Sequence, residues 1–110
     1  MNKKEVHLSE RRSSQRVPML LEIRWESLSG KHGARTTDVS LSGCYIDSIG
    51  QVTVGEKIRL EIQLPTGSWM PLQGEVVYHQ DNLGFALRFI GLTDQEREVL
   101  AQLIKSGSQH

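Results

Sequence analysis

The stretch "VGEKIRLEIQLP", residues 54–65, constrains the fold more than any other part of the chain. Ile58, Leu60, Ile62 and Leu64 alternate with Arg59, Glu61 and Gln63. A period of two sends successive side chains to opposite faces of an extended strand, so this segment has one face to bury and one to wet. A lone strand cannot bury a face, so partners must exist elsewhere in the chain.

Five further segments supply them. "MLLEIRW" (19–25) sets Met19, Leu21, Ile23 and Trp25 against Leu20, Glu22 and Arg24. "ARTTDVS" (34–40) is β-branched and mostly polar, and "CYIDSI" (44–49) is more apolar. "SWMPLQGEVVYHQ" (68–80) reads as a longer strand, with Pro71 marking an edge or bulge and Gly74 a bend. "FALRF" (85–89) is the sixth. "SLSGKHG" (27–33), "LSG" (41–43) and "DNLG" (81–84) carry the glycines and small polar residues of turns.

One helix follows, over about 94–105. Thr93 is a suitable N-cap, and Glu96 three residues on completes a capping box. Val99, Leu100, Leu103 and Ile104 share a face, and Gly107 stands where helices commonly stop. The fold class expected is therefore all-β with a terminal helix. Six antiparallel strands hide their edges most simply by closing into a barrel, with the C-terminal helix at one end.

With 110 residues the chain fits one domain with a core of its own. Residues 1–17 lack an apolar period and read as a mobile arm; Pro18 marks the boundary, and residues 18–106 form the barrel with its helix. The single cysteine, Cys44, excludes an internal disulfide and reads as a packed thiol at the start of an apolar strand. No apolar run reaches the length of a membrane helix, and "MNKKEVHLSERR" has charges where a secretory signal would be apolar. The expected location is the cytoplasm, without membrane insertion.

Metal and catalytic chemistry find little support. His7, His32, His79 and His110 lack metal-ligand spacing, and no nucleophile–base pattern or phosphate-cradling glycine loop is legible. The chain reads as a binding protein and not an enzyme, with no catalytic residue, metal or cofactor.

Two short motifs remain. Lys plus Arg and Asp plus Glu are equal at 13 each. Yet residues 1–24 hold six of the basic residues and only three of the acidic ones, with Arg11, Arg12 and Arg16 packed into "RRSSQR". An extended chain puts Arg12 and Arg16 on one side, about 13 Å apart at their roots, and their guanidinium forks suit phosphate oxygens and the O6/N7 edge of guanine. The second motif, "DVSLSG" (38–43), places Asp38, Ser40 and Gly43 between two strands. Such residues build turns, and an aspartate can also accept both donors of a guanine's pairing edge. Either motif alone reads as well as a solvated tail or a turn. Their joint occurrence, in this order, adds weight to the chemical reading.

Together the two motifs resemble the PilZ domain family, bacterial receptor modules for cyclic di-GMP. "RRSSQR" is similar to the family's R-x-x-x-R and "DVSLSG" to its D-x-S-x-x-G, while "VGEKIRLEIQLP" and "LGFALRF" resemble later strands. The resemblance implies a six-stranded antiparallel barrel with a C-terminal helix. It implies that Arg12 and Arg16 bind guanine and phosphate oxygens, that Asp38 and Ser40 contact a guanine, and that Gly43 keeps the wall open. Arg11 resembles family members that take a stacked ligand pair. Many members have a tryptophan near the end of the fifth strand; here the comparable residue is Tyr78, which can stack or donate a hydrogen bond. Trp25 and Trp69 read as packing residues. The implied protein is a stand-alone adaptor that changes conformation on binding cyclic di-GMP and signals to a partner protein.

Two rival readings make other use of the arm. A small barrel can bind single-stranded nucleic acid through basic and aromatic groups, but aromatics are only 5% of residues here, so no nucleic-acid partner is expected. "RRSS" also fits a basophilic kinase site with Ser14 as acceptor, which would make the barrel a protein-interaction scaffold.

Overall fold

The computed structural model describes residues 15–107. Its elements are β1 (Val17–Pro18), β2 (Glu22–Ser27), β3 (Gly30–Val39), β4 (Gly43–Asp47), β5 (Lys57–Gln63), β6 (Trp69–Gln80), β7 (Gly84–Phe89) and α1 (Asp94–Gly107). Every pairing is antiparallel, in the order β3-β2-β5-β6-β7-β4, and β4 pairs back onto β3. Six strands thus close a barrel, as expected, with β1 an added short strand on β3.

Closure follows from the alternation. Ile58, Leu60 and Ile62 of β5 point inward and meet Ile23 and Trp25 of β2, Val76 of β6, and Phe85 and Leu87 of β7. Trp25 is only 2% exposed; its ring stacks on His32 at 4.1 Å and meets Phe85 edge-on at 5.0 Å. Its indole N–H has no hydrogen-bond partner. Pro71 lies on the stretch of β6 that pairs with β5 alone, since β7 reaches only Gly74, which is an edge position suited to a residue without an N–H.

Helix α1 begins on the expected capping box. Thr93 Oγ1 accepts the Glu96 N–H at 3.1 Å, and the Glu96 carboxylate accepts the Thr93 N–H at 3.0 Å. Leu100 and Leu103 pack into the core beside the partly buried Val99 and Ile104. At the helix end, a Cβ on Gly107 would collide with the Met19 methyl group, so α1 lies hard against the chain leading out of β1.

Three boundaries differ from the sequence reading. The segment 27–33 is mostly strand: only Leu28 and Ser29 turn, Gly30 takes a φ of 116°, and Lys31 to Gly33 pair with β2. Val17, assigned to the arm, is 7% exposed and paired with Val39, so the barrel starts there. The first strand breaks at 19–21. The fully buried Thr36 hydroxyl fills the break, accepting the Leu21 N–H at 2.9 Å and donating to the Met19 carbonyl at 2.7 Å.

Candidate functional site

The end of β3 gathers most of the residues singled out above. Asp38 pairs with Pro18 on one side and Tyr45 on the other, with an irregular register between Thr36 and Asp38. Arg16, two residues before Pro18, sets its Nη1 3.4 Å from Asp38 Oδ1, with both side chains partly open to solvent. The two sequence motifs, 22 residues apart, therefore touch. Arg11 and Arg12, and the mobile arm expected over 1–17 apart from its last residues, lie outside the described residues.

Ser40 is 2% exposed, and its hydroxyl is spent within its own turn. It accepts N–H groups from Ser42 at 3.1 Å and Gly43 at 3.2 Å, and lies 3.0 Å from the Ser42 hydroxyl and 3.3 Å from the Gly43 carbonyl. Two acceptor sites and one donor are thereby occupied. Gly43 is buried, and a Cβ there would overlap the Leu87 carbonyl oxygen of β7. Here glycine is needed because two backbones come close.

Cys44 next in line is wholly buried, and its thiol pKa is pushed up to about 12, first by burial and then by the Asp38 charge, with Arg16 partly opposing. The thiol stays neutral, which suits packing and not nucleophilic chemistry.

On the outer face, cross-strand partners form a row from Asp38 on β3 through Tyr45 on β4 and Ala86 on β7 to Tyr78 on β6. The two tyrosine rings lie 6.0 Å apart at 49°, and the Tyr45 hydroxyl donates to Gln80 Oε1. Burial raises the Tyr45 hydroxyl pKa, helped by Tyr78, Asp47 and Asp38, so the group remains a proton donor. Tyr78 is 45% exposed, next to a register shift between Val76 and Tyr78. Beyond Ala86 on the same face, Arg88 pairs with Glu75 at 2.6 Å and lies across from Gly43.

Tyr45 and Arg88 were not singled out from the sequence. The signal was present for Tyr45: Cys44 and Ile46 point inward, so the residue between them points out, two positions past Gly43. A cleft of about 1020 Å³ opens elsewhere, beside Arg24, Arg59, Gln73 and the Thr93–Glu96 cap, and includes none of the motif residues. Among the described residues no group of three or more His, Cys, Asp or Glu side chains could hold a metal ion, and no helix is long and apolar enough to cross a membrane.

The barrel interior is filled by apolar side chains, and Arg16, Asp38, Tyr45 and Tyr78 stand on its outside. The chain belongs to the PilZ domain family, matching it over residues 10–106. No curated protein matches the sequence. Among solved structures, the Bacillus subtilis inhibitor of motility MotI/DgrA is 16% identical with a TM-score of 0.75, covering 90% of this chain and 51% of its own. The present chain thus spans about half of that protein. The PilZ domain of Escherichia coli YcgR, solved with c-di-GMP, is 13% identical with a TM-score of 0.70, covering 90% and 92%. The PilZ domain of CeSA from a cellulose-synthesizing bacterium is 16% identical with a TM-score of 0.66, covering 88% and 100%. At these identities the likeness is one of fold.

Proposed function

We propose that this protein is a cytoplasmic receptor for cyclic di-GMP whose ligand-bound surface is read by a partner protein. The observation that carries this reading is the meeting of Arg16 with Asp38 on the barrel rim. It joins a cation suited to phosphate or guanine O6/N7 with a carboxylate suited to guanine's paired donors. The family, and the YcgR domain solved with c-di-GMP, support the same ligand.

In this reading Asp38 takes a guanine pairing edge, and Arg12 and Arg16 grip phosphate and guanine oxygens. Arg11 stands where a second, stacked ligand is favoured. Ser40 acts by holding the turn, and Gly43 by letting that turn sit close to β7. Tyr78 offers an aromatic face beside the row. The segment carrying Arg11 and Arg12 closes over the ligand, its ordering offset by charge-assisted hydrogen bonds of about 1.5–3 kcal/mol each. The role is that of a receptor without catalysis, metal or cofactor.

Calorimetric titration with cyclic di-GMP tests the proposal. Saturable binding at micromolar ligand is expected. Absence of heat at that concentration overturns it, and steeply salt-dependent binding of an oligonucleotide in its place would favour a nucleic-acid module.

A further inference from the structure

Tyr45 lies across the sheet. Its Cα belongs to β4, paired with Ala86, while its hydroxyl reaches Gln80 on β6, two strands away. The ring therefore crosses over β7. A Cβ on Gly84 of β7 would stand 2.8 Å from Tyr45 Cε1, so the ring rests on bare backbone there. Ala86, its neighbour on the same face, is fully buried between Tyr45 and Tyr78. Glycine and alanine make a low floor, and a tethered ring covers it with one face turned outward. Directly paired with Tyr45 is Asp38.

We infer that Tyr45 is a further ligand-binding residue: its exposed face is a stacking platform for the purine whose edge Asp38 holds. The inference rests on the proposed cyclic di-GMP reading. Asp38 stands on the β3 side of Tyr45 and the ring extends the other way over β7, so a fused ring system lying across β4 would meet the carboxylate with its edge and the phenol with its face. The Tyr45 hydroxyl is already engaged by Gln80, which leaves the π-face as the group on offer. Stacking one base on one aromatic ring corresponds to roughly five- to 150-fold in affinity. Any planar purine would gain from the ring. Asp38 restricts the gain to a base presenting two adjacent N–H donors.

The test is calorimetry with cyclic di-GMP on the full chain, comparing the parent protein with Tyr45→Leu and Tyr45→Phe, each with a thermal melt without ligand. Leucine keeps apolar cover on Gly84 and removes the π-face; phenylalanine keeps the face and drops the hydroxyl. The inference expects Tyr45→Leu to weaken binding about tenfold or more with a melt close to the parent's, and Tyr45→Phe to restore most of that loss. Should leucine bind within twofold of the parent, or phenylalanine fall as far as leucine, the platform is overturned while the receptor reading stands. A parent protein that ignores cyclic di-GMP overturns both. If Tyr45→Leu lowers the melt markedly, Gln80→Ala, which frees the ring without removing it, replaces it as the probe: a platform held by its tether then loses affinity, and unchanged affinity counts against it.

Discussion

Asp38 is bonded by Arg16 on one side and paired across the sheet with Tyr45 on the other. The Arg16 contact is long, at 3.4 Å, and partly solvated, so it contributes at most about 1 kcal/mol to stability. Its loss costs the fold little. Arg16→Ala should accordingly melt near the parent temperature yet lose at least tenfold in cyclic di-GMP affinity by calorimetry; a variant that binds normally would remove the arginine from the site. Asp38→Ala separates two roles in the same way: lost affinity with an unchanged melt assigns the carboxylate to the ligand, and the reverse assigns it to the turn. Ser40 should behave oppositely. Its hydroxyl accepts two backbone N–H groups in a buried turn. Ser40→Ala leaves them without that acceptor and should cost about 1–3 kcal/mol in urea unfolding, with affinity falling only as the turn loosens.

Among the elements, the broken first strand is the most dependent on one side chain. Thr36 stitches 19–21 to β3 by a donated and an accepted hydrogen bond in a dry site. Thr36→Val keeps the shape and removes both, so a loss of about 1–3 kcal/mol is expected by urea unfolding. Since β1 follows directly on Arg16, the same variant should also weaken the ligand if that strand positions the arginine. The alternation of β5 and the capping box of α1 were readable in the sequence because each depends on residues near one another along the chain. The hairpin of β2 and β3 was hidden: glycine-rich "SGKHG" reads as turn, yet Gly33 faces open space and is tolerated in a strand whose pairing is secured by Trp25 on His32. The saturation of Ser40 and the crossing of Tyr45 over Gly84 were hidden for another reason. The crossing depends on β7 being alongside, some forty residues away in sequence, while the Ser40 turn depends on Gly43 packing against that same strand. The motif residues were visible as types, whereas the partners that fix their roles were supplied by closure of the barrel.

The whole molecule has a pH response carried by its core. Cys44 titrates near 9.0 in an ordinary setting and at about 12 when folded. Below about 9 the thiol is neutral in folded and unfolded chains alike, and its contribution is fully present. As pH rises from 9 toward 12 the unfolded chain gives up its proton first, so stability falls across that window. Urea midpoints at pH 8, 9 and 10 should decline, and Cys44→Ala should flatten the part of the slope due to the thiol, whatever it costs in absolute stability. A slope unchanged by the substitution would mean that other groups set it.

The placement of Trp25 has a consequence for watching the molecule in solution. There are two tryptophans, and neither belongs to the rim where Arg16, Asp38 and Tyr45 meet. Trp25 is sealed against His32 and Phe85, while Trp69 sits under the Arg24 guanidinium at 3.7 Å on the sheet's outer face. Emission excited selectively at the indoles thus reports whether the barrel is closed, and is nearly blind to what occupies the rim. The molecule carries a built-in optical gauge of its own frame, separate from the surface on which it would receive a signal.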